Sequence, residues 1–453
     1  MNAFVSAVLI LFLALPRAAK ADTSVADFGA AGDGVTLDTA ALQRAIDACS
    51  AGGGGTLHLP AGRYLTGTIQ LKDGVRLRLA ADAVLLGSTV AGHYRNLDPF
   101  ADGTGAPLGD ALIVAVDAKR VGIEGAGAID GQGAALKAAQ GTYTVRPFLI
   151  RWVRCTGVTV RDVQLRNSGA WTMHFFQSKN AVVERVAIRS RGLANNDGID
   201  IDSSEDVRVS DCDIDTGDDA ICLKATSAQP TRNITVAGCK LASHCAAIKF
   251  GTESLGDFEH IRIERCEVRD TRLGGIKLFS VDGAHLRDVV ISDITMHEVT
   301  VPIMVRLGAR LKTFRTGDTK KPVGSLRDVT IKNVRATNAR QIGMLISGIP
   351  DHPVESLALE NIELQMAGGQ TVHEPVALAE NEKAYPEIRM FGPAMPASGI
   401  YARHVRGVVF KNVRTTVAVP DARPSRVFVD VSGITPAGFA DEQPERTPSP
   451  PSP

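Results

Sequence analysis

Two short acidic motifs carry the clearest chemical signal in this chain, Asn195-Asn196-Asp197-Gly198-Ile199-Asp200 and Thr216-Gly217-Asp218-Asp219-Ala220-Ile221. Each runs into an apolar alternating segment, Gly198-Ile-Asp-Ile201 and Ala220-Ile-Cys-Leu223. Aligned on Ile199 and Ile221, Asp197 and Asp219 fall at the same position of successive units. Neighbouring strands lie about 4.8 Å apart, so the two carboxylates are expected side by side. Asp218 adjoins Asp219 but projects differently, as sequential strand residues do. Like charges that close raise at least one pKa, and folding alone has no need of them. Three carboxyl groups on one patch suit glycoside hydrolysis, in which one protonated acid serves the leaving oxygen and another carboxylate activates water. Turn formation accounts for either motif taken singly; both in register point to a site. Clustered aspartate oxygens are also hard ligands for calcium.

Cations flank these acids. The same strand face of the following units presents Lys249 and Lys277, the preceding unit presents His174, and Arg306 continues the basic lining a unit further on. His244, beside Cys245, is placed to reach the same cleft. Such groups would hold a carboxylated sugar, so the expected partner is a uronic-acid-containing polysaccharide. They would also neutralise the aspartates, and the two roles are compatible.

What positions these residues is an internal repeat. Val158-Thr-Val-Arg-Asp-Val163, Val182-Val-Glu-Arg-Val186, Val207-Arg-Val-Ser-Asp-Cys212, Ile234-Thr-Val-Ala-Gly-Cys239, Ile261-Arg-Ile-Glu-Arg-Cys266 and Val289-Val-Ile-Ser-Asp-Ile294 share one shape, and three later segments ending at Val334, Ile362 and Val413 continue it. The last residues of the first six are spaced 23, 26, 27, 27 and 28 apart; spacings of 40 and 51 further on mark insertions after Leu307 and Ala367. Alternating apolar residues make each segment a strand with one buried face. Two or three short strands per unit bury that face only by stacking as coils. The predicted fold is therefore all-β, a parallel β-helix, with a short N-terminal capping helix over Asp38 to Cys49, where Leu42, Ala45, Ile46 and Cys49 have helical spacing. Cys212, Cys239 and Cys266 occupy equivalent positions and are expected to stack inward as small apolar side chains.

The remaining features set the surroundings. Residues 1–21 combine an uncharged apolar run, Phe4 to Leu15, with a small-x-small site at Ala19-Lys20-Ala21. That reads as a cleaved signal peptide, too short to span a bilayer, and predicts a secreted or periplasmic, soluble protein that meets no membrane after cleavage. Residues 22–430 form the catalytic solenoid, and the Pro/Ser-rich stretch 431–453 is expected to be a disordered tail. Lys plus Arg equals Asp plus Glu at 50 each, which gives nucleic-acid binding no support. A monomer is expected.

On these residues the chain resembles the polygalacturonases of glycoside hydrolase family 28. Asp27-Phe28-Gly29-Ala30-Ala31-Gly32-Asp33-Gly34 and Gly53-Gly-Gly-Thr-Leu-His-Leu-Pro60-Ala-Gly62 are similar to pectin-active β-helix proteins in general, whereas Asn195-x-Asp197-Gly198 and Gly217-Asp218-Asp219 resemble the Asn-Thr-Asp and Gly-Asp-Asp motifs of that family. The resemblance implies a right-handed parallel β-helix, no metal or other cofactor, and inverting hydrolysis of α-galacturonosyl linkages. It makes Asp218 the general acid, with Asp197 and Asp219 positioning and deprotonating water. Two motifs depart from the family pattern. Its Gly-His-Gly is represented by Ser243-His244-Cys245, with Ala246 in the strict register, and its Arg-Ile-Lys by Gly275-Ile276-Lys277, with Lys277 at the arginine position and Phe279 at the final lysine. Catalysis reads as intact and sugar recognition as altered. A calcium-dependent polysaccharide lyase and a non-catalytic carbohydrate-binding solenoid are the alternatives on the same fold.

Overall fold

The computed structural model describes residues 23–374 and 376–442. The expected signal peptide lies outside the described residues, as does the end of the expected tail, 443–453.

Each coil lays three short strands end to end, and equivalent strands of successive coils pair in parallel. One ladder runs through Thr156–Arg161, Lys179–Glu184, Glu205–Ser210 and Thr231–Ala237. A second runs through Gln164–Arg166, Ala187–Ser190, Asp213–Thr216 and Lys240–Ser243. The third carries the acidic motifs and runs through Met173–Phe176, Ile199–Asp202, Ile221–Ala225, Ala246–Ser254, Gly274–Ser280, Ile303–Leu307 and Met344–Ser347. The result is a right-handed parallel β-helix, the hand that parallel crossovers take.

The repeating segment contains its own corner. In each unit the residue before the last apolar position takes a left-handed conformation: Asp162, Arg185, Asp211, Gly238, Arg265, Asp293, Asn333, Asn361 and Asn412 all have φ between 51° and 66°. That single residue resets the two-residue alternation. Val160 and Val163, three apart, therefore both point inward. Asn, Asp and Gly tolerate this conformation best, and where Asn recurs the side chains add a ladder: Asn333 donates to Asp293, Asn361 to Asn333 and Asn412 to Asn361, at 2.9–3.0 Å.

The inward residues form one continuous apolar column from Val25 to Val417. Helix Thr39–Ala51 covers its N-terminal end with Leu42, Ala45, Ile46 and Cys49, the face read from the sequence. Cys212, Cys239 and Cys266 stack in register inside it. At the other end the coil pattern goes further than the boundary drawn at 430. Arg426–Ser432 and Thr435–Glu442 are strands paired with Ile400–Val419. A last coil has a neighbour on one side only, so its buried-face alternation is weak, and its sequence resembles a tail.

Three segments leave the coil and return over the outer face of the third sheet. A hairpin pairs Arg95–Ala101 antiparallel with Pro107–Val116. Residues 308–324 lean on it: Arg315 holds Asp98 at 3.0 Å, Lys312 Nζ donates to Gly103 O at 2.9 Å, and Ala101 N donates to Phe314 O. Residues 369–399 pack Leu378, Ile388 and Phe391 against Phe279, Met304 and Leu345.

All seven cysteines are buried, and none forms a disulfide among the described residues. A thiol reagent should find no reactive cysteine in the native protein and seven after denaturation, and added reductant should leave the thermal midpoint unmoved. A dependence of the midpoint on reductant would show a cross-link the fold does not contain.

Candidate active site

The acidic motifs are turns entering the third sheet. Ile199 pairs with Ile221, and Gly198 N donates to Asp219 O at 2.9 Å, so Asp197 and Asp219 are in register one coil apart. The coils approach so closely that a Cβ on Gly198 would lie 2.4 Å from Ala220 O, and one on Gly217 would lie 2.4 Å from Leu193 O. Only glycine fits at either position, which explains the Asp-Gly and Gly-Asp pairs. Asn196 locks the first turn: its Oδ1 accepts from Leu193 N at 2.6 Å and its Nδ2 donates to Ser168 O at 2.6 Å. The carbonyl of Asp218 accepts from Thr216 Oγ1 and Ser243 Oγ, both at 2.6 Å.

The three aspartates sit in different environments. Asp219 is buried and accepts from Lys249 Nζ at 2.7 Å and Ala246 N at 3.1 Å. Asp218 is partly exposed, and its oxygens accept from Asp219 N at 3.0 Å and Asn195 N at 3.3 Å. Asp197 is buried, its Oδ1 has no hydrogen-bond partner, and its Oδ2 lies 3.6 Å from Lys224 Nζ.

These environments drive the carboxyl groups apart in pKa. Burial pushes Asp218 up and the charge of Asp219 pushes it further, against the pull of Lys249 and Lys224. Burial acts on Asp219 in the same sense, but Lys249, Lys224 and Lys277 together hold it below the usual carboxylate range. Asp197 rises well above that range through burial, Asp200 and Asp218. Adjacent carboxyl groups tuned in opposite directions are how acid and base roles are separated.

Residues missed in the sequence complete the site. Asp200 is fully buried with neither oxygen hydrogen-bonded, and lies 3.6 Å from Lys224 Nζ. Lys224 also meets Glu253 at 3.0 Å and rests 4.2 Å over the Trp171 ring. Burial works against the Glu253 carboxylate, yet Lys224 and Arg310 bring it to about 2. Tyr385, from the insertion, has its ring centre 5.9 Å from Lys249 Nζ and is 42% exposed. Asp200 and Lys224 had a local signal: Asp200 closes the first acidic motif, and both alternate with the inward residues Ile199, Ile201, Ile221 and Leu223. Glu253 arrives through a register shift between Leu223 and Ala225, and Tyr385 from a remote loop, so neither had a local signal.

The predicted binding residues divide. Lys249 joins the acids directly. Lys277 is in register with it but fully buried, with Nζ 2.6 Å from both oxygens of Glu387. His174 aligns with Asp200 and not Asp197. It is enclosed by Phe148 and Trp171, accepts from Arg151 at 3.2 Å, and contacts Asp202 at 3.2 Å. Burial, with Arg151 adding, lowers it to about 4, so it stays neutral and braces Asp202. Arg306 pairs with Phe279, two positions beyond Lys277, and is buried on Ser347 Oγ and the carbonyls of Gly348 and Glu380. All three side chains are closed by protein groups and brace the site and its cover; spacing along the strands cannot reveal what a distant loop lays over them. His244 is partly exposed at the turn beside Asp218, its main-chain N–H held by Thr216 O at 3.0 Å.

A calcium ion does not suit this donor set. Asp197, Asp200 and Cys222, and Asp218, Asp219 and Cys245, each bring ligand atoms within 4.8 Å of one another. Calcium takes six to eight oxygens, whereas each group offers two carboxylates and a thiol and is already faced by a lysine ammonium.

The family model described as "Glycosyl hydrolases family 28" matches residues 49–380. The chain belongs to glycosyl hydrolases family 28. It is a glycosidase of that family, and the matched stretch holds both acidic motifs, Lys249 and Lys277. A probable polygalacturonase of Vitis vinifera is 28% identical over 368 residues, 76% of this chain and 74% of that one. Among solved structures, the family 28 exopolygalacturonase of Yersinia enterocolitica superposes with a TM-score of 0.72 at 20% identity, covering 92% of this chain and 78% of that one. A hyperthermoactive exopolygalacturonase of Thermotoga maritima gives 0.63 at 24%, covering 76% and 86%. At those identities the two structures speak for the shared fold.

In this family 28 chain, Lys249→Met should leave a buried carboxylate unpaired and cost about 3–5 kcal/mol, read by chemical denaturation. Asp219 should then titrate higher. If its ionised form is required, the acid limb of the pH–rate profile moves to higher pH. An unchanged acid limb in a folded variant would remove Lys249 as the group that holds Asp219 ionised.

Proposed function

We propose that this glycosidase hydrolyses α-galacturonosyl linkages in pectin-type polysaccharide or oligosaccharide with inversion. Asp218 acts as general acid, and Asp197 and Asp219 position and deprotonate the attacking water. The observation that carries this reading is the split pair: Asp218, accessible and raised, next to Asp219, buried and lowered by Lys249. An acid must hold its proton while its neighbour stays ionised, and that combination exists between the pKa of Asp219 and that of Asp218. Activity is thus confined to an acidic window and falls on both sides. The polygalacturonase relatives support galacturonan as the polymer.

The nearest oxygens of Asp218 and Asp219 lie within 4.8 Å, closer than the spacing at which an acid and a base bracket a sugar and a water. Inversion therefore rests on the family; Asp219, held ionised, is the base, and Asp197, raised by burial, positions the water. The insertions over the Lys277 and Arg306 coils favour attack at chain ends. Localisation outside the cytoplasm rests on residues 1–21, and a monomeric solenoid is part of the same reading. No helix among the described residues is long and apolar enough to cross a membrane.

The test is release of reducing ends from polygalacturonate, rhamnogalacturonan and defined oligogalacturonides, with product anomers followed by NMR. Asp218→Asn should lower kcat by about 10²–10⁴ with the fold retained. Near-parent turnover in that variant, or a chelator-sensitive product absorbing in the ultraviolet, would replace hydrolysis by another chemistry.

A further inference from the structure

The buried cations around the acids are all engaged by the protein itself. Lys224 serves Glu253 and the aspartates, Lys249 serves Asp219, and Lys277 is closed by both oxygens of Glu387. Arg151 is held by Asp98 at 2.7 Å, Arg310 by Asp282 at 2.5 Å, and Arg306 by main-chain carbonyls. Withdrawing one partner from a buried pair is strongly unfavourable. A sugar carboxylate entering the pit therefore meets carboxyl groups and, among the described residues, no uncommitted buried cation.

The rim is different. The turns between the second and third sheets line the side of the pit where Asp218 is reached, and they carry basic residues. Arg146 Nη2 donates to Asn195 Oδ1 at 2.6 Å, and Asn195 N in turn donates to Asp218 Oδ2 at 3.3 Å. Arg146 Nε is buried without a hydrogen-bond partner. Arg191 precedes the first acidic motif, with its carbonyl packed against Gly217, and pairs with Asp215. His244 lies two coils on, one beyond Asp218, and Arg272 lies on the coil after that, where Leu273 N donates to Cys245 O at 2.9 Å. Arg191 and Arg272 are both near enough to the His244 ring to act on it electrostatically. Arg272 is exposed, and among the described residues its guanidinium has no hydrogen-bond or ion-pair partner.

We propose that the substrate's carboxylates are read by this rim arc, Arg146, Arg191, His244 and Arg272, and not by the buried lysines. The proposal rests on the galacturonan reading and deepens it. Of the three guanidinium groups only Arg191 is paired with a carboxylate, Asp215, whereas Arg146 rests on Asn195 and the Ala194 carbonyl, so the arc stays positive with the imidazole neutral. Guanidinium forks match carboxylates bidentately. A uronate docks with its carboxylate on the rim and its ring hydroxyls toward Asp218 and the pit, where no carboxylate is needed.

The test is calorimetric binding of tri-galacturonate, and of its fully methyl-esterified form, to the Asp218→Asn variant at low ionic strength. Arg272→Ala and Arg146→Ala are added singly, and each fold is checked by its thermal midpoint. Each arginine removed should weaken binding of the acid about tenfold, leave the ester unaffected, and lose its effect as salt is raised. Equal affinity for the acid with and without these arginines overturns the proposal while the galacturonan reading stands. Equal affinity for acid and ester does the same. No binding of either sugar by the Asp218→Asn parent, together with no release of reducing ends by the wild-type enzyme, overturns both.

Discussion

Parallel stacking of coils at one strand spacing is the constraint from which the rest of the molecule follows. Every residue in register meets its counterpart about 4.8 Å away, whatever its charge. In the column this rule stacks Val, Ile and Cys on one another and builds the core. On the third sheet it puts Asp197 beside Asp219 and lets Asp200 face the lysine of the following coil. The crowding is tolerable because ammonium groups project from neighbouring strands into it: Lys224 among Asp197, Asp200 and Glu253, and Lys249 against Asp219. The cations do not serve the acids equally: Lys249, Lys224 and Lys277 hold Asp219 down and Lys224 and Arg310 hold Glu253 down, while burial drives Asp197, Asp200 and Asp218 up.

A solenoid of this kind presents an open sheet face, and the three returning segments turn that face into a pit. The hairpin and residues 308–324 are joined through Asp98, which receives both Arg151 and Arg315. Residues 369–399 are fastened at Lys277, Arg306 and Arg403, through main-chain carbonyls and the carboxylates of Glu387 and Glu380. Residues that resemble sugar ligands along the strand thus become anchors for the cover. Burial by the cover also lowers the local dielectric, which strengthens every charge interaction beneath it and leaves Asp218 as the acid that solvent and sugar can meet. Fold alone would not decide activity; the tuned acids on this face do.

The parts legible in the sequence are those set by local pattern. Period-two alternation with a polar or glycine residue before the last apolar position marks strand, corner and strand, and the corner is the left-handed residue of each coil. The capping helix was readable from Leu42, Ala45, Ile46 and Cys49 because it has one apolar stripe. Where alternation weakens, as in the last coil beyond residue 430, the pattern no longer marks the strands, since an end coil is paired on one side only.

By itself, then, the sequence determined the coil register, and with it the pairing of Asp197 with Asp219 and the stack of Cys212, Cys239 and Cys266, because one-to-one stacking is fully specified by the alignment of the repeats. Only the tertiary structure decided which cations remain available. Glu387 reaches Lys277 across 110 residues, Glu380 and Gly348 take Arg306, and Phe148 and Trp171 seal His174. Charge and exposure of a side chain depend on whatever segment lands on it, and the landing of a long irregular insertion is set by summed packing over distant residues, which no local spacing encodes.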